Sequence, residues 1–257
     1  MLRYVIERSM EIEKTTTVQA VIQQEPRQDK DIQEMTEAGL QFGHRKSRTH
    51  PKMKPYISGV RNSIHIIDLK YTKEKLDEAL AFIKELIEED KILLFVGTKI
   101  QVRQLVKETA KEVAAPYVSE RWIGGIFTNF DVVSKRIERL NELEQGEKDG
   151  SFEKYTKQEQ AKIKDEIRIL NLKFGGMKNI TKLPDAIFVL DINEGMLAIR
   201  EAQKKGISII ALADTNTDPS LVDYAIPAND DAVSSVRYIL DKVKETIQNA
   251  KSKSSAN

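Results

Sequence analysis

Three apolar runs constrain this chain more than any other feature. Ile92-Leu93-Leu94-Phe95-Val96 ends in Gly97, Ala186-Ile187-Phe188-Val189-Leu190 ends in Asp191, and Ile207-Ser208-Ile209-Ile210-Ala211-Leu212-Ala213 ends in Asp214. Runs this short that lack polar alternation read as strands buried on both faces. Amphipathic stripes separate them. Leu76, Leu80, Ile83 and Ile87 stripe a helix that Thr72 is expected to cap. Val102, Val106 and Val113 stripe a second helix. Met196, Ile199 and Ala202 stripe a third, stopped by Gly206, and Val233, Val236, Leu240, Val243 and Ile247 stripe a closing one. Ile64-His65-Ile66-Ile67-Asp68, Pro116-Tyr117-Val118 and Tyr224-Ala225-Ile226-Pro227 read as shorter strands. Alternating helices and doubly buried strands require an α/β fold, a parallel sheet covered on both faces.

Residues 132–174 break the alternation. Apolar positions fall at Val133, Ile137 and Leu140, then at Ile163, Ile167, Leu170 and Phe174. Steps of four and three are the heptad rhythm. The segment reads as an antiparallel coiled-coil hairpin inserted into the α/β domain; two further core-packed helices are the alternative. The expected organisation is a mobile extension over 1–34, a discontinuous core over 35–131 and 175–248, the hairpin, and a disordered tail over 249–257.

A chain of 257 residues is long enough for one large domain or a domain with an insertion. Its 41 Lys and Arg nearly cancel 40 Asp and Glu, leaving a net charge of +1, so any case for a nucleic-acid partner rests on local clustering. Cysteine is absent, which excludes disulfides, thiolate metal sites and a Cys nucleophile. No apolar run approaches the roughly 18 residues of a membrane-spanning helix. The first 34 residues lack a secretory apolar segment and hold seven acids, from Glu7 to Glu34. The expected location is the cytoplasm.

The standard nucleotide, zincin and nucleophile-elbow motifs do not occur. Gly97-Thr98-Lys99 reads as a tight turn, with an anion-binding loop as the sharper alternative. Asp68, Asp191 and Asp214 stand at the C-terminal ends of strands, where open α/β sheets bind ligands. They support two readings: a Mg²⁺ site for phosphoryl transfer, or carboxylates that cap the following turns. The run from Asp214 to Asp218 begins like a calcium loop and fails at Pro219 and Ala225.

Residues 38–67 are the anomaly. They hold Arg45, Lys46, Arg48, Lys52, Lys54 and Arg61, all three histidines (His44, His50 and His65), and no acid. Gly43, Pro51 and Pro55 mark an irregular loop. Phosphate groups are the natural complement of such a segment. A zinc pair at His44 and His50, and a merely solvated loop, are the alternatives. The segment Arg121-Trp122-Ile123-Gly124-Gly125-Ile126-Phe127-Thr128-Asn129-Phe130 carries the single Trp. It reads either as an aromatic plug or as a surface on which Arg121 and Trp122 stack on bases.

Gly39-Leu40-Gln41-Phe42-Gly43-His44, Pro51-Lys52-Met53-Lys54-Pro55-Tyr56, Ile64-His65-Ile66-Ile67-Asp68-Leu69, Arg121-Trp122-Ile123-Gly124-Gly125, Leu183-Pro184-Asp185-Ala186, Asp214-Thr215-Asn216-Thr217-Asp218-Pro219 and Asn229-Asp230-Asp231-Ala232 occur in order. Together they resemble the bacterial-type family of small-subunit ribosomal protein number two, over about residues 32–245. The resemblance implies a Rossmann- or flavodoxin-like domain with a coiled-coil hairpin. It implies a structural role on the small ribosomal subunit, in contact with 16S-type rRNA and with neighbouring proteins including ribosomal protein number one. It implies no catalysis, cofactor, membrane or small-molecule substrate. RNA contact is expected at His44, Arg45, Lys46, Arg48, His50, Lys52, Lys54, Arg61, Arg121, Trp122 and Asn129, and the three aspartates become structural. Thr49-His50 and Ala228 depart from the family pattern, which commonly has Trp-Asn and Gly there.

Overall fold

The computed structural model describes residues 30–254; residues 1–29 and 255–257 lie outside that span. The described chain opens on a helix over 30–38 (α1), so residues 30–34, expected in the extension, are helical. Met35 of this helix is buried, and Asp31 pairs with Lys73.

Five strands form an all-parallel sheet: β4 (Leu93–Val96), β5 (Tyr117–Val118), β6 (Ala186–Val189), β7 (Ser208–Ala213) and β8 (Tyr224–Pro227). Their spatial order is β5-β4-β6-β7-β8. Counted within this sheet that is 2-1-3-4-5, the flavodoxin-like winding. Leu93, Ala186 and Ser208 stand in register across β4, β6 and β7. Every residue of β4 and β6 is buried, as their unbroken apolar runs require. Alternate side chains feed two cores. Leu93, Phe95, Phe188, Ile210 and Leu212 meet α2 (Leu69–Glu88), α3 (Arg103–Glu112) and α7 (Val233–Ser254). Leu94, Val96, Ile187, Val189, Ile209 and Ala211 meet α6 (Met196–Lys205), α4 (Phe130–Lys148) and α5 (Lys157–Phe174).

The expectations for residues 38–72 need correction. Ile64–Ile67 (β3) does not join the parallel sheet. With β1 (Phe42–Arg45) and β2 (Ile57–Arg61) it makes a separate antiparallel sheet in the order β1-β3-β2. The basic segment is thus folded rather than an irregular loop. Asn62 and Ser63, at φ 51° and 65°, close the β2–β3 hairpin as a two-residue turn of the primed kind. Asp68, not Thr72, caps α2: its carboxylate accepts from the Lys70 N–H at 3.0 Å. Thr72 lies inside the helix, fully buried, and donates its hydroxyl to the Pro227 carbonyl at 2.6 Å.

At the other end, α7 runs on through residues 249–254, which were expected to be a tail. Ala250 extends its buried stripe, and the Lys251 ammonium donates to the Val113 carbonyl at 2.5 Å.

The helices α4 and α5 bury Val133, Ile137, Leu140 and Leu143 with Ile167, Leu170 and Phe174, and these residues are continuous with the second core. Arg139 reaches Glu166 at 3.5 Å. Glu144 accepts from Asn171 at 3.1 Å and from Lys178 at 2.5 Å, fastening the C-terminal part of α4 to the approach to β6. No helix among the described residues is long and apolar enough to cross a membrane.

Candidate nucleic-acid interface

The antiparallel sheet and its flanking 3₁₀ turns, Lys46–Arg48 and Pro51–Tyr56, present Arg45, Lys46, Arg48, Lys52, Lys54 and Arg61 to solvent. Of these six, Lys52 alone has an acidic partner among the described residues. It bonds Asp218 at 2.8 Å and Ser220 at 2.5 Å. That ammonium, with the Ser220 donors, holds the Asp218 carboxyl well below the usual carboxylate range. The other five cations remain available to an external anion.

This basic sheet is seated on the C-terminal edge of the parallel sheet by a set of mutual contacts. The His44 N–H donates to the Thr215 hydroxyl at 2.8 Å, and the His50 N–H donates to the Thr215 carbonyl at 2.8 Å. A Cβ on Gly43 would lie 2.4 Å from the Thr215 methyl, so only glycine permits the approach. The Asn229 N–H donates to the Leu40 carbonyl at 3.1 Å, and its side-chain amide donates to Gly39 at 3.3 Å.

Beneath the seat lies a charged network. His44 places Nδ1 3.0 Å from buried Asp214 and Nε2 3.4 Å from Asp231. Its pKa is raised by the hydrogen bond to Asp214, against the opposing effect of burial, with help from the charges of Asp214, Asp231 and Asp230. Lys99 lies 3.2 Å from Asp191, 3.0 Å from Asp230 and 2.6 Å from Asp231. Burial opposes its charge, but these carboxylates raise its pKa overall. Burial and the charges of Asp191 and Asp214 push Asp230 up to about 7, against the pull of Lys99.

His44, Asp214 and Asp231 are close enough to share an ion, yet Lys99 already supplies a cation to Asp191, Asp230 and Asp231. His50 faces Asp218 at 3.9 Å, so the two histidines of the zinc alternative turn to different carboxylates. Asp191 accepts from the Asn193 and Glu194 N–H groups, and Asp214 accepts from the N–H and hydroxyl of Thr215. Two of the three aspartates of the enzyme alternative therefore organise turns, and Asp68 caps α2. Gly97 is a packing glycine: a Cβ there would meet Val106 at 2.5 Å and Leu190 at 2.9 Å.

The sequence model of the family described as Ribosomal protein S2 matches residues 35–250. The chain belongs to the ribosomal protein S2 family. It is similar to three relatives named small ribosomal subunit protein uS2. That of Koribacter versatilis is 43% identical over 84% of this chain and 72% of its own length. That of Dictyoglomus thermophilum is 44% identical over 86% of this chain and 89% of its own. That of a Roseiflexus species is 46% identical over 82% and 80% respectively. The S2 family is a structural, non-enzymatic one.

Within this S2-family chain, the segment with the single Trp behaves as a plug. Trp122 is 5% exposed and its ring stands edge-on to Phe127 at 4.8 Å, so its faces are not offered to a base. Arg121 and Asn129 stay exposed. Asn129 lines a cavity of about 300 Å³ together with Ile123, Arg136 and Lys173.

Sequence reasoning missed the residue that holds the plug in place. Buried Glu201 of α6 accepts from the Trp122 indole N–H at 3.3 Å. It also accepts from the N–H groups of Gly125 at 2.7 Å, Phe127 at 2.9 Å and Thr128 at 3.2 Å. Burial raises its pKa, but these donors outweigh burial and hold the carboxyl below its usual value. Glu201 shares a helical face with Ala198 and Ala202, and an acid on that apolar stripe was the available signal. Thr49 and His50, which depart from the family pattern, carry bonds of their own. The Thr49 hydroxyl lies 2.5 Å from His65 Nε2, and His50 Nδ1 accepts from the Lys52 N–H at 3.4 Å.

Proposed function

We propose that this chain is a non-catalytic structural constituent of the small ribosomal subunit. It grips 16S-type rRNA through the basic face of β1, β2 and β3, and it works on the ribosome in the cytoplasm. The names of the three relatives support the assignment to that particle. The single observation that carries the RNA contact is the set of five exposed cations with no acidic partner among the described residues, mounted on a folded sheet and its flanking turns. Arg45, Arg48 and Arg61 supply planar forks for phosphate, and Lys46 and Lys54 supply point charges. Lys52, His44 and His50 position the face, because their side chains are engaged by Asp218, Asp214 and the turn they cap. Arg121 and Asn129 extend the contact; Trp122 supports it from inside.

The same reading makes residues 132–174 a coiled-coil hairpin. Its heptad seam supports this, and its exposed cations (Lys135, Arg136, Arg139, Lys162, Lys164 and Arg168) face the particle. Neighbouring ribosomal proteins, protein number one among them, are its remaining partners.

The test is binding of the purified chain to small-subunit rRNA over a salt series. Replacing Arg45, Lys46 and Arg48 together by Glu should weaken binding and lower the slope of log K against log salt by about 2, from the counterions released at three phosphate contacts. An unchanged slope would place the RNA contact elsewhere on the molecule.

A further inference from the structure

A second cationic surface lies at the far edge of the parallel sheet. Beside β5 runs a groove of about 450 Å³, walled by α3 on one side and by the C-terminal part of α5 on the other. Its charged lining is Lys107, Lys111, Arg168, Lys173 and Lys178 against a single acid, Glu120. A cleft of about 480 Å³ shares Lys111, Tyr117 and Lys178 with it and continues past the start of β5. Five cations to one acid is a local excess of four charges, in a chain whose total is +1.

The cations are not equally committed. Lys107 is bonded to Glu120 at 2.6 Å and Lys178 to Glu144 at 2.5 Å. Arg168 has only exposed Asp165, at 3.4 Å on its own helix, a pair of little energetic weight. Lys111 and Lys173, on opposite walls, are exposed and have no acidic partner among the described residues. Leu172, 61% exposed, stands on the same wall as Lys173, and the Tyr117 ring is only half-buried beside them. Opposed lysines over apolar and aromatic surface are the combination that holds a sugar–phosphate strand: charge tracks the backbone and flat surface accepts the sugars and bases. A nucleic-acid strand carries a charge at every nucleotide and so meets the cations of both walls at once, which suits this groove better than the scattered carboxylates of an acidic protein segment.

We propose that this groove is a second RNA-binding surface of the chain, taking a strand of the rRNA whose main contact is the β1–β3 face. The inference rests on the RNA-binding reading above. It deepens that reading, because the two surfaces sit at different margins of the sheet: one at the C-terminal edge of β7, the other beside edge strand β5. Two separated contacts on one RNA act with a high effective concentration.

The test uses the full-length chain and purified small-subunit rRNA over a potassium chloride series. Three proteins are compared: the unaltered chain, the Arg45/Lys46/Arg48→Glu variant, and a groove variant carrying Lys111→Glu, Arg168→Glu and Lys173→Glu. The groove positions are exposed, so cooperative melting should persist; a milder variant with Gln at the same three sites guards against misfolding. The groove variant should bind at least about tenfold more weakly, with a salt slope lower by about 2, and the Gln variant should fall between. If the β1–β3 variant weakens while both groove variants match the unaltered chain in affinity and slope, the groove proposal is overturned and the main RNA contact stands. If the unaltered chain does not bind the RNA at all, the broader reading fails too. If RNA affinity is unchanged but the groove variants enter ribosomal particles poorly, the groove binds a protein rather than RNA.

Discussion

Glu201 shows what one misplaced charge can organise. A carboxylate among apolar neighbours is costly unless it is fully bonded, and Glu201 takes donors from Trp122, Gly125, Phe127 and Thr128. Those donors belong to a segment whose Gly-Gly pair would otherwise leave it ill-defined. Replacing Glu201 by Ala should therefore strand several buried N–H groups at once and destabilise the protein by about 3 kcal/mol. Urea unfolding followed by the fluorescence of Trp122, the single tryptophan, checks this: the midpoint should fall and the native emission should shift to the red. An unshifted emission with an unchanged midpoint would mean that packing against Phe127 alone holds the plug.

At the scale of elements, α4 and α5 are the pair whose sequence pattern and packing diverge most. Their heptad steps read as a self-contained seam. The structure instead continues that seam into the sheet's second core, and Glu144 ties α4 to Asn171 and Lys178. Deleting residues 133–173 would remove Val133, Ile137, Leu140, Leu143, Ile167 and Leu170 from that core. The expected outcome is loss of cooperative thermal unfolding and binding of a hydrophobic dye, not an intact α/β domain lacking an accessory. A sharp melting transition in the deletion variant would show the pair to be an independent arm after all. The antiparallel sheet was the other element that the sequence concealed. β2 contains Ser58 and Gly59, poor strand formers, and the strand forms because β3 and the Asn62-Ser63 turn offer it a partner.

For the whole molecule, the acid edge sets how stability depends on pH. The unfolded chain holds Asp230 at an ordinary carboxylate pKa, whereas the fold pushes it up to about 7. Between those values the folded state binds the extra proton, so stability falls as pH rises from about 4 to about 7. His44 acts in the same direction at higher pH. Its raised pKa contributes stability fully below the unfolded value of 6.5, and that contribution is lost as pH climbs through the folded value. Asp218 and Glu201, both lowered, work the other way and lose their contribution as pH drops through the acid range. The melting temperature should consequently decline as pH rises toward about 7, where Asp230 loses its proton, and go on declining above 6.5 as His44 loses its own. Asp230→Asn should flatten the lower part of that decline, because no proton is then exchanged there. A decline of the same steepness in the Asn variant would assign it to other groups.

The parallel sheet was legible because it follows from local facts. An unbroken run such as Leu93–Val96 can be satisfied only between two covering layers, and stripes such as Val236, Leu240 and Val243 supply them. The basic segment and the ordered family motifs were legible for the same reason: composition and order are properties of the linear chain. What those motifs do was decided by tertiary contacts alone. His44 and Thr215 are 171 positions apart, Trp122 and Glu201 are 79 apart, and Lys99 and Asp230 are 131 apart. No periodicity links positions so distant, so whether Asp214 would bind an ion, cap a turn or pair with a histidine depended on which strand ends the β5-β4-β6-β7-β8 winding brought together. That winding is set by the burial of both sheet faces, and the fate of each charged group at its edge follows from the neighbours it was given.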